Sequence, residues 1–294
     1  MVLYATNAVA AKEASDAAFA RIKQLNDILS DYDSDSELSR LSHTSGQGKR
    51  ILVGDDLWHV LEESQKYAEA SQGAFDVTIG PVVNLWRYAR LSKHLPDPEK
   101  LAKARRAVGY KNLKLYPKTH EAELLVPNMR LDAGALAKVY AIDEALKVLK
   151  QHQVSRALIA GSGDMAASDA PPGKPGWKIE LSSLDETNTA PNGFVWLKNG
   201  GLATSGDRFQ KLEIDGKRYS HIVDPRTGIG LTDHSLVTVI APDAVTANGL
   251  STSVSVLGPD GLKLVEKTPG AAARLLRQPG DKVETFETRR FRAF

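Results

Sequence analysis

The chain of 294 residues contains no cysteine. That absence excludes disulfides, thiolate metal sites and a cysteine nucleophile, and it leaves the redox compartment open. An excess of one charge is also missing. The 38 basic residues stand against 36 acidic ones, a net charge of +2, and no basic stripe marks a nucleic-acid partner. No apolar run approaches the roughly 20 residues of a membrane-spanning helix. No secretory leader is read at the start. The chain opens on "MVLYAT", which reads as the inside of a strand, so a leader or a first strand is expected to be missing. Internal repeats and low-complexity tracts are absent too. What remains is ordinary globular composition, 42% hydrophobic and 25% charged, with enough length for one large domain or two smaller ones.

Hydrophobic spacing predicts a helix over 11–30, with Ala14, Ala18, Ile22, Leu25 and Leu29 along one face. Further helices are predicted over 55–71, 97–107, 133–151 and 243–257. "AFDVTIGPVVNLW" is apolar but interrupted by Gly80-Pro81, and reads as a loop or a short strand with a turn. Short strands are expected at "LKLY", "ELLVP", "RALIAG", "WKIELSS", "FVWLKNG" and "SLVTVIAP". A Pro/Gly/Asn-rich loop is expected around 185–193. Helices and strands mix without a steady βαβ rhythm, which argues for an α+β fold of mixed or antiparallel sheets with packed helices. No linker separates independent domains, so 1–294 reads as one.

The clearest local signal is "RFQKLEIDGKRYSHIVDPRTG". Asp215-Gly216 is a strong two-residue hairpin turn. Counting outward pairs Ile214 with Lys217, Glu213 with Arg218, Leu212 with Tyr219 and Gln210 with His221. The period of two then places Tyr219, His221 and Val223 on the less polar face. Read alone, a satisfied core histidine is the simpler account of His221.

Four other stretches have the composition of a site for a phosphorylated ligand. In "RLDAGALAKVYAID", Asp132 can cap a helix whose first N–H groups point outward, with Lys138 one turn in; such a start is a ready anion site, although many ordinary helices begin the same way. "GSGD", 161–164, and "ATSGD", 203–207, could contact a ligand closely, or be plain turns. In "APDAVTANGLSTSVSVLG", Asp243 is a good N-cap. Asn248 and Thr252 lie four apart on one face, a spacing that suits a hard cation. The alternative is a helix packed on the sheet through Gly249, Ser251, Ser253 and Ser255.

In order and spacing, these segments together resemble the flavin transferase (ApbE) family from Ser30 to about Glu266. "SDYDSDSELSRLS" is similar to its S-x-Y-x-x-x-S-E-[IL]-x-R-L-N, and "GAFDVTIGPVVNLW" to its G-x-F-D-x-T-[IV]-x-P-L-x-x-L-W. "LDAGALAKVYAID", "ATSGD", "YSHIVDPRTG" and the "APDAVTANGLSTSVSVLG" helix match further motifs. The resemblance implies FAD lying in a cleft between two lobes. It also implies transfer of FMN from FAD to a Thr or Ser hydroxyl of a target protein, with AMP released and Mg²⁺ required. His221 would be the general base, with Asp224 and Arg226 at the corner that fixes it. Glu37, Phe75, Asp76, Thr78, Trp86, Asp132, Lys138, Asp164, Ser205, Gly206, Asp207 and Asp243 would bind FAD. The metal ligands would be a backbone carbonyl at Ala135 with Asn248 and Thr252.

The chain departs from the pattern in places. Asn248 stands where the metal helix has an aspartate, and an amide brings no negative charge, so metal affinity is expected to fall. Val139 replaces a glycine and is expected to narrow the approach beside Lys138. Ser42 replaces an asparagine, the N-x-G-G-D turn becomes "AGSGD", and a Met-Gly-Thr strand is missing. Two further activities therefore stand beside FMN transfer: FAD binding without turnover, and FAD pyrophosphatase action giving FMN and AMP. Members of the family are often exported, frequently as lipoproteins, but no leader or lipid-acceptor cysteine is read here, which leaves location open.

Overall fold

The computed structural model describes residues 1–184, 193–207 and 210–294. In chain order it begins with strand β1 (Val2–Tyr4), helices α1 (Ala8–Leu29) and α2 (Glu37–Ser42), strand β2 (Ile51–Leu52), and helices α3 (Asp55–Ala70), α4 (Gly80–Ser92) and α5 (Pro98–Arg106). Strands β3 (Leu113–Tyr116) and β4 (Glu121–Leu124) lead to helix α6 (Gly134–Gln151). Next come β5 (Arg156–Gly161), β6 (Asp164–Ala167), β7 (Trp177–Glu180), β8 (Phe194–Leu197) and β9 (Gly200–Gly206). The hairpins β10 (Lys211–Ile214), β11 (Lys217–Ser220) and β12 (Val223–Asp224), β13 (Ile229–Gly230) follow. The chain closes with β14 (Ser235–Ala241), α7 (Ala244–Leu257), α8 (Leu262–Lys267), β15 (Ala272–Arg277) and β16 (Glu284–Glu287). All pairs of named strands are antiparallel, in keeping with the α+β reading. Among the described residues no helix is long and apolar enough to cross a membrane.

The chain forms two compact units. The first comprises Met1–Asn26, Ala135–Arg208 and Ser235–Phe294. Its frame is a seven-stranded sheet in the order β1-β5-β6-β9-β14-β15-β16. Every residue of β14, "SLVTVIA", is buried, which is what a strand covered on both faces requires. One face of the sheet meets an apolar cluster that includes Trp177, Ile179, Val195, Leu197 and Phe291. The other carries α7, which packs on β9 and β14. Gly201 permits that approach: a Cβ there would lie 2.3 Å from the Ala244 nitrogen. Helices α1 and α6 are tied by Arg21, whose guanidinium lies 2.8 Å from the Glu144 carboxylate.

The second unit comprises Asp27–Gly134 and Phe209–His234. It holds the three-stranded sheet β2-β4-β3 and the two small hairpins. Its core gathers Val82, Trp86 and Ala89 of α4 with Leu212, Tyr219 and Val223. The β10–β11 register is the one counted from Asp215-Gly216: Ile214 opposite Lys217, Glu213 opposite Arg218, and Leu212 opposite Tyr219.

Four local expectations are corrected. Gly80-Pro81 begins α4 rather than breaking a strand, because proline tolerates a helix's first turn, where its missing N–H costs nothing. "ATSG" of the "ATSGD" stretch lies in the interior strand β9, not in a plain turn. "DMAA", read as no element, is strand β6. Val139 is 0% exposed and packs inward from α6, so its branches fill core rather than narrow a ligand's approach. The expected loop around 185–193 lies outside the described residues except for Gly193.

Candidate active site

In the first unit one carboxylate gathers three elements. Asp164, at the start of β6, is 1% exposed. Its Oδ1 accepts the Thr204 N–H from β9 at 3.1 Å. Its Oδ2 accepts the Asn248 side-chain amide from α7 at 3.0 Å and lies 2.6 Å from the Lys138 ammonium of α6. The Lys138 side chain remains 38% exposed, so its charge is both held and reachable. A carboxylate can only accept, so the nitrogen of Asn248 faces Asp164 and its oxygen faces away. That Oδ1 accepts the Thr252 hydroxyl at 3.2 Å, as the spacing of four along one helix face requires.

The remaining expected residues of this unit sit close by in sequence or fold. Ala135 lies in the first turn of α6. The Ser205 hydroxyl shares a 2.8 Å hydrogen bond with Ser251, Gly206 ends β9, and Asp207 is buried. Asp243 caps α7, accepting the Thr246 N–H at 2.6 Å and the Thr246 hydroxyl at 3.0 Å. Asp143 joins it by accepting the Ala244 and Val245 N–H groups at 3.1 and 3.0 Å. Burial pushes the Asp143 carboxyl up to about 6. The start of α7 is thus occupied by two of the protein's own carboxylates, and Asp243 spends both oxygens on its helix.

In the second unit His221 follows directly after β11. Its Nδ1 lies 3.1 Å from the Gln210 carbonyl. A carbonyl only accepts, so Nδ1 carries the proton and Nε2 is the basic nitrogen of the neutral ring. The main chain around it is pinned: Ser220 N–H donates to Leu231 at 2.7 Å, and Leu231 N–H to Ile222 at 2.9 Å. The corner that follows closes on itself. Arg226 donates to Asp224 from Nε at 2.9 Å and from Nη2 at 2.8 Å, and its main-chain N–H adds a third bond at 2.9 Å. Arg105 of α5 donates to the Arg226 carbonyl at 2.8 Å.

Of the other expected residues of this unit, Phe75, Asp76, Thr78 and Trp86 are interior, whereas Glu37 and Asp132 are only partly covered. Asp76 accepts Thr78 N–H and hydroxyl through Oδ1, at 2.8 and 2.7 Å, and Tyr110 N–H through Oδ2 at 2.8 Å. Burial raises its carboxyl above the ordinary range. Thr78 is 0% exposed and takes the Gly109 N–H at 2.8 Å. Phe75 is buried against Tyr67. The Trp86 indole, 2% exposed, donates to the Gly228 carbonyl at 2.9 Å. Glu37 accepts the Gly54 N–H at 2.6 Å. Asp132 takes Gly134 N–H at 2.9 Å and Arg87 at 2.9 Å, and burial raises its carboxyl. Arg87 also pairs with Asp31.

The hairpin count sets Gln210 opposite His221, and the His221 N–H also donates to the Gln210 carbonyl, at 3.0 Å. Sequence reading missed Arg87 and Asp143. Arg87 carries no spacing signal. Asp143 closes the "LDAGALAKVYAID" stretch, but nothing local to it announces that it would accept the first N–H groups of α7. Among the described residues, the His59, Glu62 and Glu63 group on α3 could gather a cation, but Lys66 already pairs with both glutamates.

Known proteins resemble this chain over nearly its whole length. The model of the ApbE family matches residues 2–275. A protein of Haemophilus influenzae named FAD:protein FMN transferase is 34% identical over 266 residues, covering 88% of this chain and 77% of its own. One of the same name from Klebsiella pneumoniae is 30% identical over 274 residues, covering 91% and 77%. The crystal structure of the flavinyl transferase ApbE of Pseudomonas stutzeri, apo form, superimposes with a TM-score of 0.84 at 30% identity, covering 96% of this chain and 88% of that one. The ApbE protein of Thermotoga maritima gives 0.84 at 27% identity, covering 96% and 91%. The chain belongs to the ApbE family of flavin transferases.

Proposed function

We propose that this protein transfers FMN from FAD to a Thr or Ser hydroxyl of a target protein, releasing AMP, with Mg²⁺ as the accompanying cation. The acceptor oxygen attacks the phosphorus on the FMN side of the diphosphate. A new P–O bond forms, the bond to the bridging oxygen breaks, and AMP leaves with that oxygen. Such a displacement needs a deprotonated hydroxyl, neutralised phosphate charge and alignment more than covalent help. His221 takes the hydroxyl proton at Nε2. Asp224 and Arg226 hold the corner beyond it. Lys138, steadied by Asp164, meets the diphosphate. Phe75, Asp76, Thr78 and Trp86 act by holding the loop before α4 and its first turns rather than by presenting free polar groups.

The donor chemistry suits a hard cation. The Asn248 Oδ1 and Thr252 Oγ1 lie 3.2 Å apart, close to the roughly 3 Å between neighbouring oxygen ligands of an octahedral ion. Together with the Ala135 carbonyl they would hold Mg²⁺. When bound, Mg²⁺ would neutralise charge on the phosphate oxygens.

What carries the reading is the Nδ1–Gln210 bond, which makes Nε2 the basic nitrogen of His221, in a chain whose relatives are named FAD:protein FMN transferase. The neutral amide at 248 favours one second reading, a protein that binds FAD without turning it over. Incubation with FAD, Mg²⁺ and a Thr-containing acceptor protein separates them. Flavinylated acceptor plus AMP supports transfer; bound intact FAD without AMP supports the second reading. Free FMN plus AMP, with water as acceptor, would overturn both.

A further inference from the structure

We infer that this protein holds no divalent cation by itself, and that the cation enters the Lys138–Asp164–Asn248–Thr252 cluster only together with the FAD diphosphate. The inference deepens the function proposed above and rests on it.

The reason is a charge count fixed by hydrogen bonding. Within the cluster Lys138 is positive, Asp164 is negative, and Asn248 and Thr252 are neutral. Asp164 is the single carboxylate among the four, and both its oxygens are engaged: the Thr204 N–H holds Oδ1 at 3.1 Å, while the Asn248 amide at 3.0 Å and the Lys138 ammonium at 2.6 Å share Oδ2. The direction of the Asn248 amide follows from this, since only its nitrogen can face a carboxylate. Its oxygen is thereby presented beside Thr252. A lone divalent ion would meet three neutral oxygens, from the Ala135 carbonyl, Asn248 and Thr252, next to a pair whose charges cancel. Hard cations depend on ligand charge and give up water reluctantly, so this is too little to hold one. The diphosphate changes the count. It brings one negative charge per phosphate, and a divalent ion then restores neutrality.

Removing the balance from either side restores binding of the bare ion. Asn248→Asp adds a carboxylate beside Asp164 that Lys138 cannot also neutralise. Lys138→Gln leaves Asp164 without its counter-ion.

Mn²⁺ binding, followed by the loss of its free-ion electron paramagnetic resonance signal, reads this out without turnover. For the unaltered protein, Mn²⁺ alone is expected to bind more weakly than about 1 mM, and saturating FAD without acceptor to tighten it by at least about tenfold. Each variant is expected to tighten binding of Mn²⁺ alone by about 10- to 100-fold, with circular dichroism confirming the fold. The two variants disturb opposite sides of the cluster, so failure of one to fold leaves the other informative. Equal Mn²⁺ affinity with and without FAD would overturn the inference. So would no Mn²⁺ binding under either condition, or unchanged affinity in the folded variants. FAD-independent Mn²⁺ affinity together with flavin transfer sinks only this inference, whereas FAD-linked Mn²⁺ binding with no transfer to any acceptor sinks only the proposed reaction.

Discussion

At His221 one main-chain carbonyl decides which ring nitrogen is basic. The Gln210 oxygen holds the proton on Nδ1, so His221→Ala is expected to slow flavin transfer by about 10²- to 10⁴-fold while FAD binding persists. Single-turnover labelling of the acceptor measures the first and fluorescence titration the second; an unimpaired variant would move the base elsewhere. Asp224 organises the neighbouring corner through three bonds from Arg226. Asp224→Ala is expected to cost about 1–3 kcal/mol of stability, because it strips the partner from a partly buried set of donors; urea unfolding checks this. The sequence made the hairpin register legible, since Asp-Gly turn chemistry and alternation agree. It placed His221 on the buried face with Tyr219 and Val223, yet the ring is only partly covered. The regular strand ends at Ser220, and beyond a strand's end the period of two no longer dictates direction.

At the scale of elements, helices were easiest to read. Long apolar stripes such as Ala14, Ala18, Ile22, Leu25 and Leu29 in α1 name a face, and all but the half-buried Ile22 are buried. Glycine-bearing segments misled. Gly-Pro marks a turn and a helix start equally well, so α4 was hidden. The glycines of β9 mimic a corner, but Gly201 is there because α7 rests on its strand. Gly201→Ala would drive a methyl to within 2.3 Å of the Ala244 nitrogen. A loss of about 1–3 kcal/mol or more is expected, read as a lowered Tm. A variant as stable as the parent would mean that the helix can lift off the sheet without penalty. The Asp164 cluster was half legible: the Asn248–Thr252 pairing follows from helix spacing, whereas Asp164 joins it through strand order, which no local pattern encodes.

For the whole molecule, Asp143 links stability to pH. Its carboxyl is raised from 3.8 to about 6 by burial, so the folded state binds its proton more tightly than the unfolded chain. The resulting stabilisation, about 3 kcal/mol, is complete below about pH 4 and is lost as pH rises toward about 6. Denaturant titrations across that window should show stability falling with pH, and Asp143→Asn should flatten the slope; an unchanged slope would assign it to another group. Fold class was legible from the mixture of elements and the antiparallel hairpin, but the division of the chain into units was not, because each is discontinuous in sequence. That discontinuity bears on how the protein is made. Strand β9 sits beside β14, and the second unit needs Phe209–His234 to join Asp27–Gly134. A nascent chain emerging from the ribosome must therefore carry unfinished sheet and unfinished core alike until residues 209–241 appear, and over that interval its apolar surface and open strand edges are exposed to association with other chains.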